Sequence, residues 1–238
     1  MPTTLDAYQY ISGRNGSYLF DDSLADRFIE INLGMMDIKS LSDTRQKARE
    51  IAAWLYTKQR EQLIFSDEPD KFYLAKVEGV VDLERFVISG TVTIVFRCLP
   101  LAYSVVESSD DITLDSDLTL YSDILLGSSA SVFNITESTT VQVDNFGTKQ
   151  VKPIIELDGT FTDIAITING KTLNYNEPIT SELLVIDTER MTARIGTANK
   201  LNDITGDFLS IDKGLQDVAI AGTALNVDLK IKFRPEFL

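Results

Sequence analysis

The chain has 238 residues, enough for one large or two ordinary domains, and 44% of them are hydrophobic, enough to build a folded core. It carries 22 basic and 36 acidic side chains, no histidine and one cysteine, so its net charge of −14 argues against nucleic acid or an anionic membrane as a partner. No apolar run approaches the roughly 18–20 residues of a membrane helix, and no signal peptide is visible, so we expect no membrane insertion.

The first part of the chain contains one turn-rich segment and one strand pattern. Residues 12–17 are rich in glycine and serine, and Asn15–Gly16 suits a tight hairpin turn. Phosphate binding is disfavoured there because the spacing and the Lys-Ser/Thr ending of a P-loop are missing. Residues 27–33 alternate apolar and polar side chains, which predicts a strand.

A helix is predicted over residues 44–55. Ser40 and Asp43 have the spacing of a capping box, and Ser42 is an equal candidate for the N-cap because its hydroxyl can accept a first-turn N–H. Apolar residues at helical spacing form one stripe, consisting of Ala48, Ile51, Ala52 and Leu55. The charged side chains left for water or a partner are Arg45, Lys47, Arg49 and Glu50.

Trp54 is the only tryptophan, and it lies beside this apolar stripe. The plain interpretation is that its side chain is part of the core. The alternative is an anchor in a protein interface, because aromatic residues are enriched at interface centres. The sequence leaves both open and favours the core.

A long β-hairpin is predicted after the helix. A turn is expected at residues 67–70, followed by strands at 71–79 and 86–98. The second strand has its apolar side chains at even positions and polar ones at odd positions, and Gly90 interrupts it as a bulge. Cys98 falls on the apolar side and is expected to be a small core residue. The unpaired edges of such a hairpin invite pairing with another chain.

Residues 101–127 are rich in serine and aspartate and predict a solvated connector. Asp115 and Asp117 have the spacing of the first two ligands of a calcium loop, but the glycine and bidentate glutamate of that loop are missing. We therefore expect an N-terminal domain at residues 1–104, a connector at 105–130 and a second domain at 131–238. Residues 1–104 have net charge −3 and residues 105–238 have −11.

The second domain reads as a series of short strands separated by turns, which predicts a β-sandwich and a mainly β chain with one main helix. Asp158–Gly159 is expected to close one strand, and Asn169–Gly170 is a strong hairpin signal. The last strand, residues 227–233, alternates apolar and charged side chains. The other strands are expected at 131–135, 139–144, 152–157, 164–168, 182–186, 191–195 and 216–221.

Catalytic chemistry is not indicated. Without histidine, the commonest general base and zinc ligand is missing, and one cysteine cannot build a cysteine-based metal site. Asp187 and Glu189 are a possible pair of catalytic carboxylates, although acids near a turn of a β-protein are usually solvated. We therefore expect no enzyme activity, no catalytic or metal-binding residues and no cofactor.

Several segments resemble the distal tail protein (Dit) family of long-tailed, non-contractile bacteriophages. In the first half they are IAAWL at 51–55, LIFSDEPDKFYLA at 63–75, GTVTIVFRCLP at 90–100 and Ala102–Tyr103. In the second half they are PIIELDG at 153–159, ITING at 166–170, Ile186–Asp187, GDF at 206–208 and residues 227–235. The resemblance extends over nearly the whole chain. A strand usually precedes a segment like residues 12–17 in that family, and here it is expected to be short or missing.

The resemblance implies a structural hub at the tip of the virion tail, assembled in the host cytoplasm. The N-terminal domain would form a hexameric ring, and a galectin-like β-sandwich would lie at its periphery. The ring would join the tail tube to the tip or baseplate, with tail tube, tape measure and tail-tip or receptor-binding proteins as partners. The alternative is a carbohydrate-binding β-sandwich, for which Tyr121 and Tyr175 are the candidate stacking aromatics.

Overall fold

The structure is a computed structural model that describes residues 2–34, 41–79, 91–110 and 131–238. The chain divides into two compact units. The first comprises Met1–Phe65, Phe72–Ala102 and Leu238, and the second comprises Ser66–Lys71 and Tyr103–Phe237. The mainly β fold class predicted from the sequence is confirmed.

The first unit is built from six strands and one helix, and strand β5 begins in the stretch assigned to the second unit. The elements, in chain order, are β1 Thr4–Tyr10, β2 Ser17–Leu24, β3 Arg27–Gly34, α1 Leu41–Leu55, β4 Glu61–Phe65, β5 Glu68–Glu78 and β6 Thr91–Cys98. Strand β6 lies between β3 and β5 and pairs antiparallel with both. The turn predicted at residues 67–70 is shorter, because β5 already begins at Glu68.

Helix α1 packs its apolar stripe against this sheet. Ala48 and Leu55 are buried and contact the buried Val92 and Ile94 of β6. Ile51 packs against the same cluster. The helix begins at Leu41, so Ser42 lies in its first turn rather than before it. Ser40, the other candidate N-cap, falls outside the described residues.

The predicted pairing of the long hairpin is confirmed for its described part. Ala75 pairs with Cys98 and Glu78 with Val95, whereas the predicted bulge at Gly90 and the start of the second strand lie outside the described residues. Cys98 is fully buried, as expected. This burial raises the pKa of its thiol to about 11, so the thiol stays protonated at neutral pH.

The second unit is a β-sandwich, as predicted. Two short strands, β7 Ala102–Ser104 and β19 Glu236–Phe237, lie outside its two sheets. The strands of the sandwich are β8 Val132–Ile135, β9 Thr139–Asn145, β10 Ile154–Phe161, β11 Asp163–Ile168, β12 Lys171–Tyr175, β13 Ile179–Asp187, β14 Thr192–Ile195, β15 Ala198–Asn199, β16 Ile204–Gly206, β17 Gly214–Thr223 and β18 Asn226–Lys232. A 3₁₀ turn spans Leu201–Asp203. The two sheets have the orders β15-β14-β13-β10-β18-β8 and β16-β12-β11-β17-β9.

Period-two alternation explains the core of the sandwich, since inward side chains come from every second residue of the strands. In β18, Val227, Leu229 and Ile231 are buried while Asp228 and Lys230 are exposed. Asn169–Gly170 joins β11 to β12 with positive φ at both residues, the conformation of a two-residue hairpin turn.

The prediction that Asp158–Gly159 closes a strand is wrong. Strand β10 continues through Gly159 to Phe161, with a shift of register between Gly159 and Phe161. Gly159 has φ +147, and a Cβ there would lie 2.3 Å from the carbonyl oxygen of Asn226 on β18. The glycine is therefore required by the close approach of a neighbouring strand, not by a turn.

The described part of the predicted connector, residues 105–110, is hydrogen-bonded to the end of the sandwich. Ser108 Oγ donates to the carbonyl of Ile231 at 2.7 Å and accepts the N–H of Phe233 at 2.8 Å. Arg234 donates to the carbonyl of Val105 at 2.8 Å and to Glu107 at 2.7 Å. We propose that the two units fold as separate domains that meet in sequence near residue 104, and that residues 105–110 belong to the second.

Replacing Gly159 by Ala should lower the free energy of unfolding by about 2–4 kcal/mol, because the new methyl group meets the β18 backbone. Gly196→Ala is the matched control. Gly196 also has positive φ, but nothing lies within 4 Å of its added Cβ, so a loss of about 1 kcal/mol is expected. Urea unfolding followed by circular dichroism measures both, and equal losses would contradict the close approach.

Ser108→Ala should cost about 1–3 kcal/mol, because it leaves a buried donor and acceptor of residues 231–233 without their partner. Ser109→Ala tests the neighbouring position and should change stability by less than about 0.5 kcal/mol. Thermal unfolding of both variants checks the difference. If the two variants unfold alike, residues 105–110 are a connector with no part in the second domain.

Candidate assembly surfaces

A groove lies where helix α1 ends, and we call it the Trp54 groove. It has a volume of about 300 Å³, and its lining includes Trp54, Leu55, Leu63, Lys76, Val77 and Phe96. Trp54 is 69% exposed, and Tyr56, which follows the helix, is 78% exposed. Two large aromatic side chains therefore stand in solvent beside an apolar depression.

The interpretation of Trp54 as a core residue is wrong. Successive helical residues are about 100° apart around the axis, so when Leu55 points into the core Trp54 points away from it. The apolar stripe of α1 is narrow, and it is filled by residues smaller than tryptophan. The interface alternative is the one that this exposure favours.

The outer face of α1 is basic. Arg45 and Arg49 are exposed, and Gln46 donates a hydrogen bond to Glu50 at 3.1 Å on the same helix. Residues 41–65 carry five basic and three acidic side chains. In a chain of net charge −14, this helix and the strand after it form a locally positive segment.

The hairpin formed by β1 and β2, which we call the aromatic hairpin, is exposed at most of the positions whose side chains the structure describes. All seven residues of β1 are exposed, and Tyr10 and Phe20 are 79% and 69% exposed. On one face Tyr8 donates a hydrogen bond to Asp6 at 3.2 Å. On the other face Tyr18 lies edge to face with Phe20, and the Arg14 guanidinium sits 4.1 Å from the Tyr18 ring centroid.

Two expectations from the sequence concern the aromatic hairpin: a short or missing strand before residues 12–17, which is wrong, and a turn at Asn15–Gly16, which is confirmed. The strand expected to be short or missing before residues 12–17 is present as the seven-residue β1. Residues 11–16 connect the two strands, so Asn15–Gly16 does lie in the turn of a hairpin. Sequence reasoning missed β1 because its alternation is weak: Leu5 and Ala7 lie on one face, and Tyr8 and Tyr10 share the other with Asp6.

Strand β3 is the outer strand of the first unit's sheet, and among the described strands it pairs only with β6. At its start Asp26 accepts hydrogen bonds from Arg97 at 2.6 Å and Arg60 at 3.0 Å. The first of these raises the pKa of the Arg97 guanidinium, which stays charged. Exposed Phe28 lies beside Arg97, so this strand edge presents both charge and an aromatic ring.

The second unit has an open cleft of about 540 Å³ that mixes both signs of charge. Several of its charges are already paired, including Lys232 with Glu156 at 2.8 Å and Arg234 with Glu107 at 2.7 Å. Burial and, to a lesser extent, the charge of Glu189 raise the pKa of Glu236. The cleft therefore holds charges of both signs, some of them in ion pairs.

Asp187 and Glu189, the candidate pair of catalytic carboxylates, line this cleft, but Asp187 has a structural role. Asp187 ends β13, and its Oδ1 accepts the N–H groups of Glu189 and Arg190 at 3.1 and 2.9 Å. Its side chain therefore closes the turn to β14. Arg190 adds an ion pair with Asp187 at 3.8 Å.

The stacking role considered for Tyr175 is wrong, because Tyr175 is buried and packs edge to face against Phe161. Tyr121, the other candidate, and the acidic pair Asp115 and Asp117 lie outside the described residues. Within residues 2–34, 41–79, 91–110 and 131–238, no group of three or more cysteine or acidic side chains is placed to hold a metal ion. In the same residues no helix is both long and apolar enough to cross a membrane.

Comparison with known proteins adds evidence on family and fold. Residues 1–98 match the family model of the phage tail protein RIFT-related domain. Among solved structures, the Dit protein (gp 19.1) of phage SPP1 is similar, with a TM-score of 0.68 and 17% identity over 100% of this chain and 90% of that one. No curated protein sequence is similar enough to count as a match.

Two structures of the phage P2 baseplate in its activated conformation, one with Ca and one with Sr, also align. Their TM-scores are 0.37 and 0.36, each with 14% identity over 100% of this chain and 88% of the other. These scores are too low to compare folds. Family is therefore judged from the match of residues 1–98, and fold from the SPP1 protein, whose alignment includes the whole of this chain.

The resemblance to the distal tail proteins that the sequence suggested is confirmed: the chain has the fold of a distal tail protein of phage SPP1 over its full length, and its residues 1–98 match a phage tail protein family.

Proposed function

We propose that this protein is a structural hub of a bacteriophage tail. Six copies form a ring through their N-terminal domains, and the ring joins the tail tube to the tip or baseplate that meets the host. The protein is assembled in the host cytoplasm and resides at the tail tip of the virion. Its partners are its own copies, the tail tube protein, the tape measure protein and the tail-tip or receptor-binding proteins.

The observation that carries this proposal is the fold similarity over the complete chain. The SPP1 protein is described as a paradigm of the hub adsorption apparatus in phages that infect Gram-positive bacteria. Similarity at 17% identity concerns the fold, and the family match of residues 1–98 adds a link to phage tails. Together they favour a tail hub over other uses of a β-sandwich.

The surfaces of the first unit fit a protein that associates with copies of itself. Among the described strands, β3 lies at the edge of its sheet, and the unit also has an exposed aromatic hairpin and an exposed tryptophan beside a groove. These are different surfaces of one chain, and contacts between different surfaces run head to tail, which gives a ring when the rotation between copies closes. The segment 105–238, with net charge −11, would face outward and resist association through its own surface.

We propose further that the protein is not an enzyme. Asp187, one of the two candidate catalytic carboxylates, is engaged in closing a turn, and the chain has no histidine to act as a general base. A sugar-binding sandwich is also disfavoured, because Tyr175 cannot stack on a ligand from inside the core.

The purified chain should associate into six-membered rings as its concentration rises, and assembly should be completed by tail tube or tip proteins if the isolated ring is weak. Light scattering over a wide concentration range measures the first, and negative-stain imaging of the mixtures shows the second. A chain that stays monomeric at high concentration and gives no ring with either partner would rule out the hub.

We expect no saturable binding of cell-wall polysaccharide to the second unit. Calorimetric titration of the full chain with purified polysaccharide tests this, and a fragment of residues 103–238 serves to locate any binding. Saturable binding by a chain that forms no ring would replace the hub by the carbohydrate-binding alternative.

A further inference from the structure

Three dipeptides of the chain have the composition at which a backbone nitrogen readily attacks the preceding side chain. They are Asn15–Gly16, Asp158–Gly159 and Asn169–Gly170. In this reaction the nitrogen of the second residue bonds to the side-chain carbonyl carbon of the first and closes a succinimide ring. Glycine favours the closure, because no side chain crowds its nitrogen and its backbone rotates freely. The sequence alone does not separate the three sites, whereas their structural settings differ.

Asp158–Gly159 is held inside a sheet. Strand β10, which contains both residues, pairs with β13 on one side and with β18 on the other. A Cβ built on Gly159 would lie 2.3 Å from the carbonyl oxygen of Asn226, so this backbone is closely packed as well as paired. Ring closure requires the backbone to rotate, and here rotation would break the sheet locally. A carboxylate is also a poorer target for a nucleophile than an amide.

Asn169–Gly170 is held in a tight turn. The strand residues on either side, Ile168 and Lys171, pair with each other, and φ is 52° at Asn169 and 75° at Gly170. The Asn169 side chain is held too, because its Nδ2 donates a hydrogen bond to Asp212 Oδ2 at 2.9 Å. The turn must therefore open, and the side-chain amide must leave Asp212, before the ring can close.

Asn15–Gly16 has neither restraint. Both residues are exposed in the connection of residues 11–16, at a bend of the chain. The backbone hydrogen bond described within this connection joins the N–H of Arg14 to the carbonyl of Ile11 at 3.2 Å. Among the described residues, no hydrogen bond holds the Asn15 amide or the Gly16 N–H, and nothing lies within 4 Å of a Cβ built on Gly16. The backbone here can rotate without breaking a described contact.

We propose that Asn15 is a site of spontaneous deamidation. The nitrogen of Gly16 bonds to Cγ of Asn15, the Cγ–Nδ2 bond breaks, and the amide nitrogen leaves as ammonia. Water then opens the ring at either carbonyl and gives aspartate or isoaspartate, with no other reactant. Each product carries a carboxylate that is ionised at neutral pH, so the net charge of −14 becomes one unit more negative. The inference is independent of the proposed function.

Ageing the purified full chain in mildly alkaline buffer tests the proposal. Peptide mapping by mass spectrometry follows the gain in mass when an amide NH₂ is replaced by OH, and an isoaspartate methyltransferase labels the isoaspartate product. Asn15 should convert about tenfold or more faster than Asn169, because Asn169 must first leave its turn. An Asn15 that stays intact, or an Asn169 that converts as fast in the folded chain, overturns the proposal.

The same chain in denaturant is the control for local sequence. Neither asparagine is held there, so the difference in rate between Asn15 and Asn169 should largely disappear. A difference that persists in denaturant would place its cause in the neighbouring residues and would contradict the structural argument.

Two variants separate the sites. Asn15→Gln should remove the fast conversion, because the longer side chain would have to close a six-membered ring, and the exposed position should leave the circular dichroism unchanged. Asp212→Ala removes the acceptor of the Asn169 amide, so conversion at Asn169 should rise while conversion at Asn15 stays the same. A fast conversion that survives in Asn15→Gln overturns the assignment, and an unchanged Asn169 in Asp212→Ala shows that this carboxylate does not protect it.

Discussion

The packing of one helix on an antiparallel sheet determines what the first unit can do. Among the described residues, the cluster under the helix contains the buried side chains of Ala48, Leu55, Val92 and Ile94, with Leu33, Ile51, Val77 and Phe96 partly buried against it. Trp54, the aromatic residues of β1 and β2, and Phe28 lie outside this cluster and are exposed. A protein that leaves so much aromatic surface exposed is suited to burying it against partners. In the described part of the sandwich, the exposed large apolar side chains are mostly aliphatic, among them Leu183, Met191 and Leu215.

Much of the fold could be predicted because period-two alternation is a direct consequence of strand geometry. The pairing of β5 with β6, the Asn169–Gly170 turn and the closing strand β18 follow from local pattern alone. The predictions of strand ends and short strands failed where a segment distant in the sequence determines the local structure. Nothing near Gly159 in sequence reveals that β18 approaches it, and the short strands β15, β16 and β19 exist only because longer strands lie beside them.

The candidate surfaces were less predictable than the fold. Composition predicted that the chain holds little catalytic chemistry, and this stays a prediction, whereas a periodic pattern does not say on which side of a narrow apolar stripe a tryptophan lies. Asp187 and Tyr175 show the same limit, since one proved to close a turn and the other to fill the core. Exposure of Trp54 and of the aromatic hairpin is a tertiary property, and it needed the packed helix and sheet to become visible.

The central claim is that six copies form the ring of a tail hub, and native mass spectrometry tests it most directly. The chain has a mass of 26.5 kDa. Sprayed at rising concentration, alone and with tail tube or tip proteins, it should give a complex that contains six copies, with or without partner. Only monomers, or a closed dimer that does not grow, would contradict the account.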